Sequence, residues 1–191
     1  MPKDFTLSST DFLNDGPIPA RYTCDGDRVN PHLTIEGVPP EAKSLVLIVH
    51  DPDVPKILKS DGNFDHWVLF NIPPEAREIA SGMTVGVPGV NSAGKAEYAA
   101  PCPPKEYEPS EHRYFFKLYA LDTELPLKEG TTRAEVEEAM SGHVIAEAQL
   151  VGADEVVKGA IGRFHVEHFE TKDPGSLSHR FDDQNARHDW M

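Results

Sequence analysis

Residues 50–74 read HDPDVPKILKSDGNFDHWVLFNIPP, and the reading of this stretch decides the reading of the chain. Just upstream, Ser44–Val49 (SLVLIV) is a continuous apolar run rich in branched side chains, and Trp67–Ile72 (WVLFNI), within the stretch itself, is another. Runs of this length bounded by proline and glycine predict buried strands. Asp51 and Asp53 leave the end of the first strand, and His66 enters the second. Strands hold side chains rigidly, so acid and imidazole are brought to one sheet edge, where a pocket can form.

Outward from this centre, Leu33–Pro40 (LTIEGVPP) predicts a strand running into a proline turn. Residues 5–23 alternate short apolar pairs with Asp, Gly and Pro, which suits brief edge strands, and Asp25-Gly26 marks a turn. Residues 81–104 are rich in glycine and proline without sustained periodicity and read as a long loop of the kind that carries function. Tyr114–Asp122 (YFFKLYALD) is largely apolar on both faces, as a central strand requires. Thr132 and Glu135 form a capping-box pattern ahead of Val136, Ala139 and Met140, so a helix starts there and ends at Ser141-Gly142. His143–Val151 (HVIAEAQLV) alternates as a strand does, with His143 placed to cap the helix end. From about 154 to 166, Val156, Val157, Ala160, Ile161 and Phe164 share one helical face, weakened by Gly159 and Gly162. Residues 171–191 are polar and nearly free of aliphatics, which predicts a flexible tail behind a single domain over 1–170.

The 191 residues, 39% of them hydrophobic, suffice for one core without cross-links. Eighteen basic against 32 acidic residues give a net charge of -14, a field that repels nucleic-acid backbones and anionic lipid surfaces. No run approaches the roughly 20 apolar residues of a membrane span, and the N-terminus lacks the apolar core of a secretory leader. The expectation is a cytoplasmic protein in which Cys24 and Cys102 remain thiols, Cys102 being packed between prolines rather than acting as a nucleophile.

Six segments, in this order, resemble the phosphatidylethanolamine-binding protein family, in particular its bacterial and archaeal Raf-kinase-inhibitor-like branch. They are Ile18–Gly26 (IPARYTCDG), Asp51–Pro55 (DPDVP), Asp65–Pro73 (DHWVLFNIP), Tyr98–Pro104 (YAAPCPP), His112–Asp122 (HRYFFKLYALD) and Gly142–Gly152 (GHVIAEAQLVG). The resemblance runs from about Phe5 to Gly152. It implies a mainly β fold of two antiparallel sheets in Greek-key arrangement with a few short helices and a C-terminal helix. It also implies a small anion-accepting cavity lined by Asp51, Asp53, His66, Tyr98, Pro103, His112 and Tyr114, and a cis Val54–Pro55 peptide. The chain departs from the family pattern at His50, where an acid is common, at Ala100, where glycine is usual, and in continuing well beyond Gly152.

Plainer readings stand beside these. Asp-Pro is ordinary turn chemistry, His66 suits a core imidazole bonded to backbone, and Arg113 suits a bidentate brace on a carboxylate. Three functions fit the residues. The first is a non-enzymatic binder of a small anion or phosphorylated head group, without a cofactor, modulating a kinase or protease partner. In that reading both imidazoles donate to phosphate oxygens, a carboxylate sets the tautomer, and an acid meets the ammonium of a zwitterion. The second is a metal-dependent hydrolase built on the two Asp and two His; the third is an interaction module with a vestigial cavity. The apolar face after Asp154 suits a homodimer contact or a cover for the cavity.

Overall fold

The computed structural model describes residues 4–104, 106–109 and 111–154. The helix and tail expected beyond Asp154 lie outside them. In chain order the elements are β1 (Thr6–Ser9), β2 (Gly16–Ile18), a 3₁₀ turn (Ala20–Tyr22), β3 (Leu33–Glu36), β4 (Ser44–Asp51), β5 (Phe64–Ile72), β6 (Glu78–Ile79), β7 (Val87–Pro88), β8 (Arg113–Leu121), α1 (Arg133–Met140) and β9 (Val144–Asp154). They form a three-stranded sheet, β1-β3-β6, and a six-stranded sheet, β2-β9-β8-β4-β5-β7.

The two apolar runs flanking residue 50 become β4 and β5, and every residue of β4 is buried. The pleat explains why the run is continuous, since successive side chains leave on opposite faces and both faces are covered. Leu45, Leu47 and Val49 enter the main core with Leu33, Ile35 and Ile79 of the smaller sheet, whereas Val46 and Ile48 meet Val136 and Met140 of α1 on the other side. β8 lies between β4 and β9 as a central strand should, with Tyr114, Phe116, Leu118 and Ala120 in the main core. Helix α1 begins with the expected capping box: Glu135 N–H donates to Thr132 Oγ1, and Thr132 N–H to Glu135 Oε2 at 2.8 Å.

Several expectations need correction. The larger sheet is mixed, because β2 runs parallel to β9. Asp15 N–H to Val151 O and Val151 N–H to Asn14 Oδ1 hold the chain beside β9 just before β2 begins, which sets its direction. A Cβ on Gly152 would lie 2.5 Å from Ile18 Cγ1, so the bare backbone of β9 is what lets β2 come this close. The loop over 81–104 contains the two-residue strand β7, paired with Leu69 and Phe70 of β5. His143 does not cap α1 with its ring, which lies 2.8 Å from Asp122 Oδ1; its backbone N–H bonds to Met140 O instead. Val54–Pro55 is trans, and the cis peptide among the described residues is Glu108–Pro109. Cys24 and Cys102 are not thiols but a disulfide, closed across 78 positions of sequence.

Candidate functional site

Antiparallel pairing places the end of β4 beside the starts of β5 and β8: Asp51 is opposite Phe64, and His50 is opposite Phe115. Residues distant in sequence therefore converge at one sheet edge. His112, immediately before β8, sets its ring Nδ1 at 2.6 Å from Asp51 Oδ2, with both side chains buried. The other oxygen of Asp51 accepts the Asp53 backbone N–H at 2.7 Å. One carboxylate thus both closes the turn and grips the imidazole.

Asp51, His66, His112 and Tyr114 line a cavity of about 150 Å³ together with Val54, Phe64, Ala100, Cys102, Pro103 and Pro104. Pockets for drug-sized ligands run to roughly 300–1,000 Å³, so this one suits a small group. Among the residues expected there, Asp53 and Tyr98 are not part of the lining. Asp53 lies beyond the end of β4, and both its oxygens turn to Arg113: Oδ2 accepts from Nε at 2.8 Å and from the backbone N–H, and Oδ1 accepts from the outer guanidinium nitrogen at 2.8 Å. That bidentate brace holds the Asp53 carboxyl below the usual range. Tyr98 packs edge-on against Trp67 and donates its hydroxyl to Tyr22 O; burial pushes its phenol pKa up. Val54, Phe64, Ala100, Cys102 and Pro104 were not foreseen. They adjoin motif residues, but only the folded turns show that their side chains or backbone face inward. Ala100 adopts no left-handed backbone, so glycine is not required there.

His66 is gripped by backbone. Its Nδ1–H donates to Ala99 O at 2.6 Å, and Ala99 N–H donates to His66 O at 2.8 Å, so the loop after residue 97 is stitched to β5 at the site. Burial lowers the ring pKa and outweighs the pull of Asp51 and Asp65. A neutral ring with its proton on Nδ1 carries a lone pair on Nε2. His66 therefore accepts hydrogen bonds at neutral pH, which corrects the expectation that both imidazoles donate to a phosphate. Tyr114 meets this ring edge-on at 5.2 Å and Phe64 tilts against it at 4.7 Å, giving the cavity an aromatic wall.

His50 faces away from this cavity. It stacks on Phe115, and its Nδ1 meets Asn63 Oδ1 at 2.9 Å; burial and then Arg133 lower its pKa. A wider depression of about 390 Å³ lies on the outer sheet face between Lys117, Tyr119, Glu147 and Gln149. None of these residues is buried, and its opposed charges are ordinary solvated surface.

The model of the family described as phosphatidylethanolamine-binding protein matches residues 8–154. The chain belongs to the phosphatidylethanolamine-binding protein family. Among its relatives, a UPF0098 protein of Chlamydia muridarum is 44% identical over 150 residues, covering 78% of this chain and 97% of the relative. A UPF0098 protein of Methanothermobacter thermautotrophicus is 45% identical over 153 residues, covering 76% and 95%. The crystal structure of a proposed phosphatidylethanolamine-binding protein homologue from Chlamydia trachomatis superposes with a TM-score of 0.76 at 44% identity, over 80% of this chain and 97% of that one. The crystal structure of YbcL of Escherichia coli, described as a new member of the mammalian phosphatidylethanolamine-binding protein family, gives 0.71 at 27% identity over 81% and 99%.

The phosphatidylethanolamine-binding protein fold here is mainly β, with two sheets and one short α-helix among the described residues. No helix there is long and apolar enough to cross a membrane. No group of three or more His, Cys, Asp or Glu among the described residues is placed to hold a metal ion. The geometry explains this. Asp53 is committed to Arg113 and does not line the cavity, so the two Asp and two His do not converge as a ligand set.

Proposed function

We propose that this protein is a non-enzymatic binder whose cavity takes a small phosphate-bearing group, with a zwitterionic phosphoethanolamine-type head group as the best chemical match. The observation that carries the reading is the buried Asp51–His112 pair at 2.6 Å on the wall of a cavity that also contains His66 and Tyr114. Net charge of -14 supplies no long-range attraction for anions, so recognition rests on short-range geometry. Within the cavity, the Asp51 carboxylate and the His66 lone pair favour a ligand that brings hydrogens of its own. A protonated phosphate hydroxyl or an ammonium offers them; a fully ionised phosphate does not. The bacterial and archaeal sources of the relatives support placing the chain in the Raf-kinase-inhibitor-like branch.

The test is an NMR titration of the imidazole resonances with inorganic phosphate and, separately, with phosphoethanolamine. Saturable shifts at His66 and His112, larger for phosphoethanolamine, are expected. Shifts confined to the outlying His32 and His143 would refute the assignment.

A further inference from the structure

We propose that the Cys24–Cys102 disulfide is a redox latch on the cavity wall: reducing it releases the segment Cys102–Pro104 and weakens binding of a phosphate-bearing group. The inference deepens the proposed function, on which its ligand arm rests. Cys102, Pro103 and Pro104 form one side of the cavity. Two of those three residues, and Pro101 before them, carry no N–H, so this wall cannot be pinned by a ladder of backbone donors. It is tied at its upstream end. Ala99 exchanges two hydrogen bonds with His66, and Pro101 O accepts Cys24 N–H at 2.9 Å. Beyond Pro101 the disulfide is the covalent tie, anchoring the wall to the turn after Tyr22.

That anchor is itself firm. Tyr22 is buried in the main core, Thr23 N–H and Gly26 N–H bond to Ala20 O and Thr23 O, and a Cβ on Gly26 would run into Ala20 O and Arg21 Cα. A cross-link between a rigid turn and a poorly bonded wall transmits its state to the wall. Cys102 is exposed, so a reductant can reach the bond. One thiolate of a dithiol attacks one cysteine sulfur, breaks the S–S bond and expels the other cysteine as a thiolate, leaving a mixed disulfide; the dithiol's second thiolate then attacks its own sulfur in that bond and expels the first cysteine. The products are two cysteine thiols and the oxidised, cyclic dithiol, a two-electron exchange with both protons ending on the cysteines.

The experiment compares oxidised protein, protein reduced with dithiothreitol, and the double variant Cys24→Ser/Cys102→Ser. Each is titrated with inorganic phosphate and phosphoethanolamine, and hydrogen exchange is followed at the residue 24 amide, which bonds to Pro101 O across the link. Buried methyl resonances report whether the core stays intact. Reduction is expected to speed exchange of the residue 24 amide and to weaken phosphoethanolamine binding about fivefold, as when the binding-competent wall is populated about a fifth of the time. The double variant should match the reduced protein and ignore dithiothreitol. Unchanged Cys24 amide exchange on reduction would overturn the latch, whatever the ligand does. Faster exchange with unchanged affinity would overturn its control of binding. Faster exchange in a protein that binds neither probe in either state would overturn the binding reading, and with it the ligand arm, while leaving the mechanical tie intact.

Discussion

His112 Nδ1 and Asp51 Oδ2 stand 2.6 Å apart in the buried end of the larger sheet, although 61 positions separate the two residues in sequence. Each fixes the other. The carboxylate sets the proton on Nδ1, and the imidazole satisfies an acid that would otherwise be buried with only the Asp53 N–H as partner. A pair of this kind is costly to break from one side, because the survivor keeps its desolvation penalty.

Replacing His112 with Ala is therefore expected both to abolish the phosphoethanolamine titration and to cost stability. The cost of leaving a buried acceptor short of a partner is about 1–3 kcal/mol, and somewhat more when the group is charged. That lies within the roughly 5–15 kcal/mol margin of a domain, so the variant should still fold. Urea unfolding measures the stability loss and NMR the binding. Undiminished phosphoethanolamine binding in the folded variant would remove His112 from the site.

Tyr98→Phe separates structural from binding roles. The hydroxyl donates to Tyr22 O at 3.3 Å, away from the cavity lining, so its loss should cost no more than about 1 kcal/mol, the scale of one net hydrogen bond. Phosphoethanolamine affinity should not change. A fall in affinity with unaltered stability would restore Tyr98 to the cavity.

Acid should destabilise the fold in a window set by two histidines. His50 and His66 both have folded-state pKa values below the ordinary 6.5, chiefly through burial. Around and below that value the unfolded chain binds protons that the folded chain refuses, so stability falls as pH drops from neutrality through the region under 6.5. Asp53, whose carboxyl is held low by Arg113, adds a second loss only at more acid pH, below its ordinary 3.8. Urea midpoints from pH 7.5 to 5 measure the slope. A His50→Gln variant should flatten it, and an unaltered slope in that variant would exclude His50 as a contributor.

Gly152→Ala tests the seam between β2 and β9. The new methyl meets Ile18 and Phe12 inside the core, and overpacking of this kind costs roughly 1–3 kcal/mol. Thermal unfolding should register the loss with binding retained; a neutral result would mean that β2 shifts to make room.

Much of the fold is legible in local pattern. The runs at Ser44–Val49, Trp67–Ile72 and Tyr114–Asp122 carry their burial in their composition, and the Thr132–Glu135 spacing encodes its own cap. The two-residue strands β6 and β7 have no period to detect. The direction of β2 is decided by contacts with Val151 and Asn14 rather than by its three residues. Asp53 shows the limit most plainly. At i+2 from Asp51 it would share a face in a continuing strand, but β4 stops at Asp51 and the chain turns, so the second acid meets Arg113 instead of the cavity. The Cys24–Cys102 bond depends on two irregular segments meeting in space, and nothing in sequence spacing states that they do.

The same bond makes a closed ring of the chain from Cys24 to Cys102, and β3, β4, β5, β6 and β7 all lie within it. Within that ring lies the turn at Lys56–Leu58, where Ile57 is 81% exposed. A protease that cuts there opens the ring but frees no piece. The nicked protein should run as one species on a non-reducing gel and separate into two fragments once dithiothreitol is added. Severed β4 and β5 would stay held together by their ladder and by the cross-link, so a nicked population could persist unnoticed wherever thiols are scarce.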